Sequence, residues 1–293
     1  MTYINMQKKT FMVLITLTLL NPTIYGLMDE TEIKKKAEKY ASYDEVIAGV
    51  ECFTYEGETY WMICYLTPGK EKRYMILNNQ GEPVYNKETL EAVTLENTIT
   101  HGFNESRVKE YLKISGAYQE SARTISSLSN SLKKEYESME IRDSLRDMGN
   151  SYTNLQELFN KNAASLNKSL TAFSPQNAIE HMGYLNQTIS EMETAIDRNN
   201  KAIKELNQIT GNKTIDETAS RSIDFLSHSK VNEEILLSAL KKEKEGIQEI
   251  SKNNVDEMLR RIKAKEREPF TIPLLFLTII TVIILVSTLH LWR

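Results

Sequence analysis

The sequence predicts an α+β fold class: a small helix-plus-antiparallel-meander domain, then a long antiparallel helical (coiled-coil) bundle, then one C-terminal transmembrane helix. Three observations predict it. Strand-like runs bounded by turn residues are confined to the first hundred residues. From about 104 to 268, apolar residues recur at steps of three and four, the period of one helix face. The run Phe270–Trp292 then carries no Asp, Glu, Lys or Arg. The domains expected are a signal peptide at 1–26, the α+β domain at 27–97, the helical rod at 104–268 and the membrane helix at 270–292.

Lys8 and Lys9 precede the apolar stretch Phe11–Leu20, which Asn21-Pro22 ends. This is the make-up of a secretory signal, too short to span a bilayer, with a cut after Gly26. An uncleaved anchor is the other reading, since the A-x-A pattern is absent. Within 27–97, Ile33, Ala37, Tyr40 and Ala41 share a face of a helix over Thr31–Tyr43. Strands follow at Val50–Tyr55, Tyr60–Leu66 and Arg73–Leu77, with a short fourth around Pro83–Tyr85. Glu56-Gly57-Glu58-Thr59 has the composition of a hairpin turn. With a three-residue loop Cys52 lies opposite Cys64; with a two-residue loop we expect diagonal neighbours. Either placement suits the one disulfide that two cysteines in an exported protein allow, the alternative being two free buried thiols.

The helix-then-meander order and the ending Asn78–Tyr85 (NNQGEPVY) resemble PepSY-type domains over residues 31–86. The resemblance implies an extracytoplasmic module linked to inhibition or partner binding. Nine aromatic residues, among them Tyr40, Tyr60, Trp61 and Tyr65, crowd this domain. Large rings fill the core of a small domain; a binding platform is the competing reading.

In the rod, Val108, Tyr111, Tyr118, Ala122, Ile125, Leu132, Tyr136 and Met139 form a stripe whose phase then shifts before Leu145, Met148, Tyr152 and Leu155. Gly149-Asn150-Ser151 marks a kink or break, and Ser174-Pro175 a stop and restart. Met182 to Leu206 steps regularly, with Asn199 the polar interruption that fixes register. A last helix over Ile215–Arg267 carries Leu226, Leu236, Leu240, Ile247, Ile250, Met258 and Ile262. Short connections favour an antiparallel bundle over an oligomeric coiled coil. Three helices place the α+β domain far from the membrane; a reversal at Gly149 makes four and places it close.

The 23 residues of Phe270–Trp292, free of Asp, Glu, Lys and Arg, cover the ~30 Å core of a bilayer. Basic residues Arg260, Arg261, Lys263, Lys265 and Arg267 precede it, which opposes an exported orientation. The signal sequence engages first, so the expected localisation is the cell membrane with most of the chain extracytoplasmic. Net charge is −4, which excludes nucleic-acid binding through phosphate neutralisation. Four glycosylation sequons begin at Asn104, Asn167, Asn186 and Asn212. His101, His181, His228 and His290 are scattered, so neither a metal nor a cofactor is expected. Acidic pairs such as Glu233-Glu234 read as solvated faces. The expected function is that of a type I surface protein with a binding head on a rod, not an enzyme. Its partners are the lipid bilayer and a protein, or itself, through the helices. The alternative is a cytoplasmic, tail-anchored tethering or fusion protein.

Overall fold

The computed structural model describes residues 28–135, 139–208 and 213–291, and the side chains of 28–132, 141–208 and 217–266. In chain order come α1 (Glu30–Glu38), β1 (Val46–Tyr55), β2 (Glu58–Leu66), β3 (Lys72–Asn78), α2 (Lys87–Gly102), α3 (Glu105–Glu135), α4 (Met139–Thr171), α5 (Pro175–Gln208) and α6 (Lys213–Leu291). They divide into two compact units. One joins Met1–Leu90 to Asn254–Arg293, and the other is Glu91–Asn253. The small domain is thus built from both ends of the chain, and the helical rod does not extend to 268 as a separate body.

In the first unit, Asp29 caps α1 by accepting from the Glu32 N–H at 2.8 Å, with Glu30 and Glu32 in the first turn and Lys35 and Lys36 in the last. Both choices suit the helix dipole. Ile33 and Ala37 bury their side chains completely against Trp61, Ile63, Tyr65, Met75 and Leu77 of the sheet. The Tyr65 hydroxyl donates to the Ala37 carbonyl at 2.9 Å, which ties the end of α1 to β2. The sheet order is β1-β2-β3, antiparallel throughout. Glu56 (φ 51°) and Gly57 (φ 81°) both sit in the left-handed region, the requirement of a two-residue type I′ hairpin turn. The fourth strand reduces to a single bridge between Leu77 and Pro83.

The position of that turn, at Glu56-Gly57, corrects the disulfide expectation. Cys52 pairs opposite Trp61, and Cys64 opposite Gly49. Three residues of offset place the two thiols on opposite faces of the sheet, because side chains alternate. Both are free. The aromatics resolve as core: Tyr60, Trp61 and Tyr65 are buried, whereas Tyr43 and Tyr85 stand exposed.

Val255, Met258 and Ile262 of α6 are almost fully buried, Ile262 within the cluster of the sheet and α1. Beside them Arg261 donates from Nη2 to Glu45 Oε1 at 2.8 Å and lies over the Tyr65 ring at 4.9 Å. Glu45 also accepts from the Ser42 N–H at 2.8 Å and faces Arg73 at 3.6 Å. Burial works against the Glu45 carboxylate, but the Ser42 N–H and the two guanidinium groups hold it below its ordinary range. Glu257 pairs with Arg73 at 3.7 Å, and Tyr85 donates to Glu266.

In the second unit, α3, α4, α5 and α6 up to Asn253 form an antiparallel four-helix bundle. Helix α3 ends at Glu135 and α4 begins at Met139, within a stretch that the apolar stripe crosses without changing phase, so the expected break at Gly149 is corrected. Gly149 lies inside α4, where an added Cβ would sit 3.6 Å from Ile125 of α3. Ser174 precedes Pro175 at the start of α5, as expected. Helix α2, which the sequence reading left unassigned, opens at Asn86, whose Oδ1 accepts from the Glu88 N–H at 2.9 Å.

The membrane helix is the second correction. Among the described residues no helix is long and apolar enough to cross a membrane. From 217 to 266, where its side chains are described, α6 carries charged residues on nearly every turn and buries its apolar side in protein. The side chains of 270–292 lie outside the described residues, as do the signal peptide at 1–26 and the sequon at Asn212. With the span go the type I surface architecture and its tail-anchored alternative.

Removing one partner from a buried ion pair strands the other, typically at 3–5 kcal/mol. We expect Arg261→Ala to destabilise the protein by about 3 kcal/mol in urea melts. Arg260→Ala, on an exposed neighbour, should change stability by less than about 0.5 kcal/mol. Equal effects would show that the Glu45 pair holds nothing.

Candidate functional site

The interior of the bundle is apolar in outline and polar at intervals. Tyr111, Tyr118, Tyr152, Phe159, Leu185, Leu226 and Leu240 are buried in one cluster. Tyr118 stacks on Phe159 with ring centroids 5.6 Å apart. Through this core runs a ladder of buried hydrogen-bonding groups.

At one level Glu96 of α2, fully buried, accepts from Ser169 at 2.9 Å and from the Ser174 N–H at 3.0 Å. It thereby closes the α4–α5 connection. Thr94 of α2 meets Ser251 of α6 at 2.8 Å. Next, Glu243 of α6 accepts from Arg107 and Tyr111 of α3, with the Arg107 guanidinium 4.6 Å above the Tyr111 ring. His181 of α5 lies 3.1 Å from Ser165 of α4. Asn162 donates to Thr188 at 2.8 Å. Finally Asn199 donates to Glu233 of α6 at 2.7 Å and to the Tyr152 hydroxyl at 3.3 Å. The Asn199 position expected to fix register is fully buried. It fixes register with partners on two neighbouring helices.

Glu233 corrects the expectation of a solvated acidic pair, for it is 2% exposed. Burial raises its pKa to about 7, and the hydrogen bonds from Tyr152 and Asn199 offset this only in part. Around it stand Tyr118 of α3, Tyr152 of α4 and Asn199 of α5, with Glu234 on its own helix. His181 is displaced the other way: burial lowers its pKa to about 4. It faces Tyr111 at 6.1 Å between ring centroids, and the Arg107 charge also disfavours its protonated form. A neutral histidine and a carboxyl near its midpoint at pH 7 hold protons inside the bundle.

The sequons fit the same scheme. Asn167 and Asn186 are exposed, but the hydroxyls two residues on, Ser169 and Thr188, are buried. Both belong to the ladder, so core hydrogen bonding accounts for them. Asn104 is exposed and caps α3 by accepting from the Ser106 N–H at 2.9 Å. His101 and His228 lie exposed on different helices.

The outside of α6 carries the feature sequence reasoning missed. Val231 is 54%, Ile235 65% and Ile250 53% exposed. Together with Ala239, Lys242 and Gly246 they step 4-4-3-4-4 along the helix. At 3.6 residues per turn this places them within an arc of about 100° and over ~28 Å. Ile250, expected in the core stripe, belongs to this outer one. A concavity of about 480 Å³ lies between α3 and α4, bordered by Ala122, Ser126, Arg142, Gly149 and Thr153.

Between pH 4.5 and 6.5, the ordinary values of Glu233 and His181, the two buried groups oppose each other. Glu233 has its pKa raised on folding, so its contribution is complete below 4.5 and is lost as pH rises through 7. His181 has its pKa lowered, so its contribution is complete above 6.5 and is lost as pH falls through 4. Each is worth about 3 kcal/mol, at ~1.4 kcal/mol per tenfold change in proton affinity. We expect wild-type stability to be nearly flat across that window. Glu233→Gln should gain stability at pH 8 and lose stability steadily from pH 6.5 to 4.5. His181→Leu should show the reverse slope. Urea melts across pH check this; parallel profiles in all three proteins would refute it. The chain matches no family model, and no curated protein matches it in sequence.

Proposed function

We propose that the chain is a protein-interaction module without catalytic chemistry of its own, and that the outer face of α6 receives a helix of a protein partner. The exposed stripe Val231–Ile250 carries this reading. Single exposed apolar residues are ordinary, but an ordered stripe on one helix face is a contact surface. Its spacing is that of a helix seam, and the small Ala239 and Gly246 permit close approach of a second backbone. Lys242 within the stripe favours a partner carrying an acidic residue at the matching position.

The polar ladder supports the same reading. Hydrogen-bonded pairs between specified helices penalise slipped registers, because a slip leaves buried groups without partners. The bundle therefore holds α6 in one rotation, with one stripe inward and the other outward. A rigid presented helix binds with less ordering cost than a flexible one.

A photo-crosslinking residue at position 235 or 250 of the full chain, in producing cells, tests the proposal. A discrete adduct is expected at both positions and not at Asn186, exposed on α5. Val231→Glu should abolish the adduct and alter stability by less than about 0.5 kcal/mol. Identical adducts at all three positions, or none at 235 and 250, would overturn it.

A further inference from the structure

The sheet of the first unit has two edges, and they differ. On β3 the returning chain covers the edge: Val84 donates to Ile76 at 3.0 Å and Asn78 to the Glu82 carbonyl at 2.8 Å, with Leu77 bridged to Pro83. β1 is the other terminal strand. It is also the longest, at 10 residues. Val46 is 62% exposed and Tyr43, just before it, fully so. Ala48, Glu51, Cys52 and Thr54 are exposed as well.

Proteins blunt such edges with lysine, proline, short strands or bulges. β1 contains neither lysine nor proline, and Glu51 is its only charge. Its one irregularity falls between Ile47 and Gly49, which leaves Val50–Tyr55 regular. A strand of this make-up is a template for another strand.

We propose that the occupant is β1 of a second copy of this chain, paired antiparallel about a two-fold axis at Cys52, so that two three-stranded sheets become one of six. A two-fold axis normal to an antiparallel pair passes through a residue opposite its own symmetry mate, so few registers are open. An axis at Glu51 sets two carboxylates against each other, which is destabilising. An axis at Cys52 sets Glu51 against Phe53, Val50 against Thr54 and Gly49 against Tyr55. The β-branched pair, and the aromatic ring opposite glycine, suit neighbouring strands. Both copies also keep α1 on the same side of the joined sheet. The contact lies wholly in the first unit and does not depend on the α6 stripe.

In this register the two Cys52 side chains lie ~4.5–5.5 Å apart at Cβ, within reach of a disulfide after small adjustment. The test treats the full chain with diamide, a thiol oxidant, and follows covalent dimer and solution mass. A two-protomer mass is expected, with rapid cross-linking that Cys52→Ser abolishes and Cys64→Ser leaves intact. Thr54→Lys puts a charge on the edge and should weaken dimerisation by about tenfold or more, ~1.4 kcal/mol, with an unchanged circular dichroism spectrum. Thr54→Val, uncharged and β-branched, should keep the dimer. A monomeric wild type overturns the proposal. So does a dimer that Thr54→Lys leaves intact, or one that cross-links through Cys64.

Discussion

The Glu45–Arg261 pair is the constraint on which the first unit depends. It joins residues 216 apart in sequence inside a core to which Ile262 also belongs. A sheet of three strands and a helix of nine residues bury too little surface alone to offset the entropy of ordering them. The α6 segment supplies three further large side chains and a buried cation. Loop-closure entropy rises only slowly with the length enclosed, and the second unit is itself folded between the two ends. Arg261 can be buried because its charge is met by Glu45 and its planar face by Tyr65; lysine offers no such planar face.

The second unit follows another rule. Its core forgoes some apolar packing for hydrogen bonds between specified helices. Each such bond contributes little net stability, yet leaving one unmade inside the core costs considerably more. That asymmetry gives register specificity, and it also explains two opposed proton-holding groups. Glu233 resists ionisation and His181 resists protonation, for the same reason of burial.

Much of this was legible in the sequence. The strand runs, the Glu56-Gly57 turn, Ser174-Pro175 and Asn199 are local signals, and local physics decides them. The α3–α4 reversal was not legible: the stripe runs on through Tyr136 and Met139 without a break, and its phase change and Gly149 both lie beyond the start of α4. Helix α2 was not legible, since burial on nearly every side of Ala92–Ile99 removes periodicity, and Thr94, Glu96 and Asn97 look solvated until their partners are known. The disulfide expectation failed on the position of the turn: with Glu56 and Gly57 in the loop, Cys64 lies three residues past the partner of Cys52, and an odd offset in a sheet puts a side chain on the other face. The membrane span rested on composition alone.

The boundary of the two units was illegible for a physical reason that also explains α6. Leu226, Glu233, Leu240 and Ile247 recur every seven residues and face the bundle core. Val255, Met258 and Ile262 likewise step by three and four in the first unit. A helical spacing serves the core of each unit, so the change of neighbour after Asn253 leaves no mark in the period. Turning α6 to hide Val231, Ile235 and Ile250 would withdraw Leu226, Leu240 and Ile247 from the bundle core. The outward stripe is thus held exposed by the inward one, and on that fixed exposure the proposed partner surface rests.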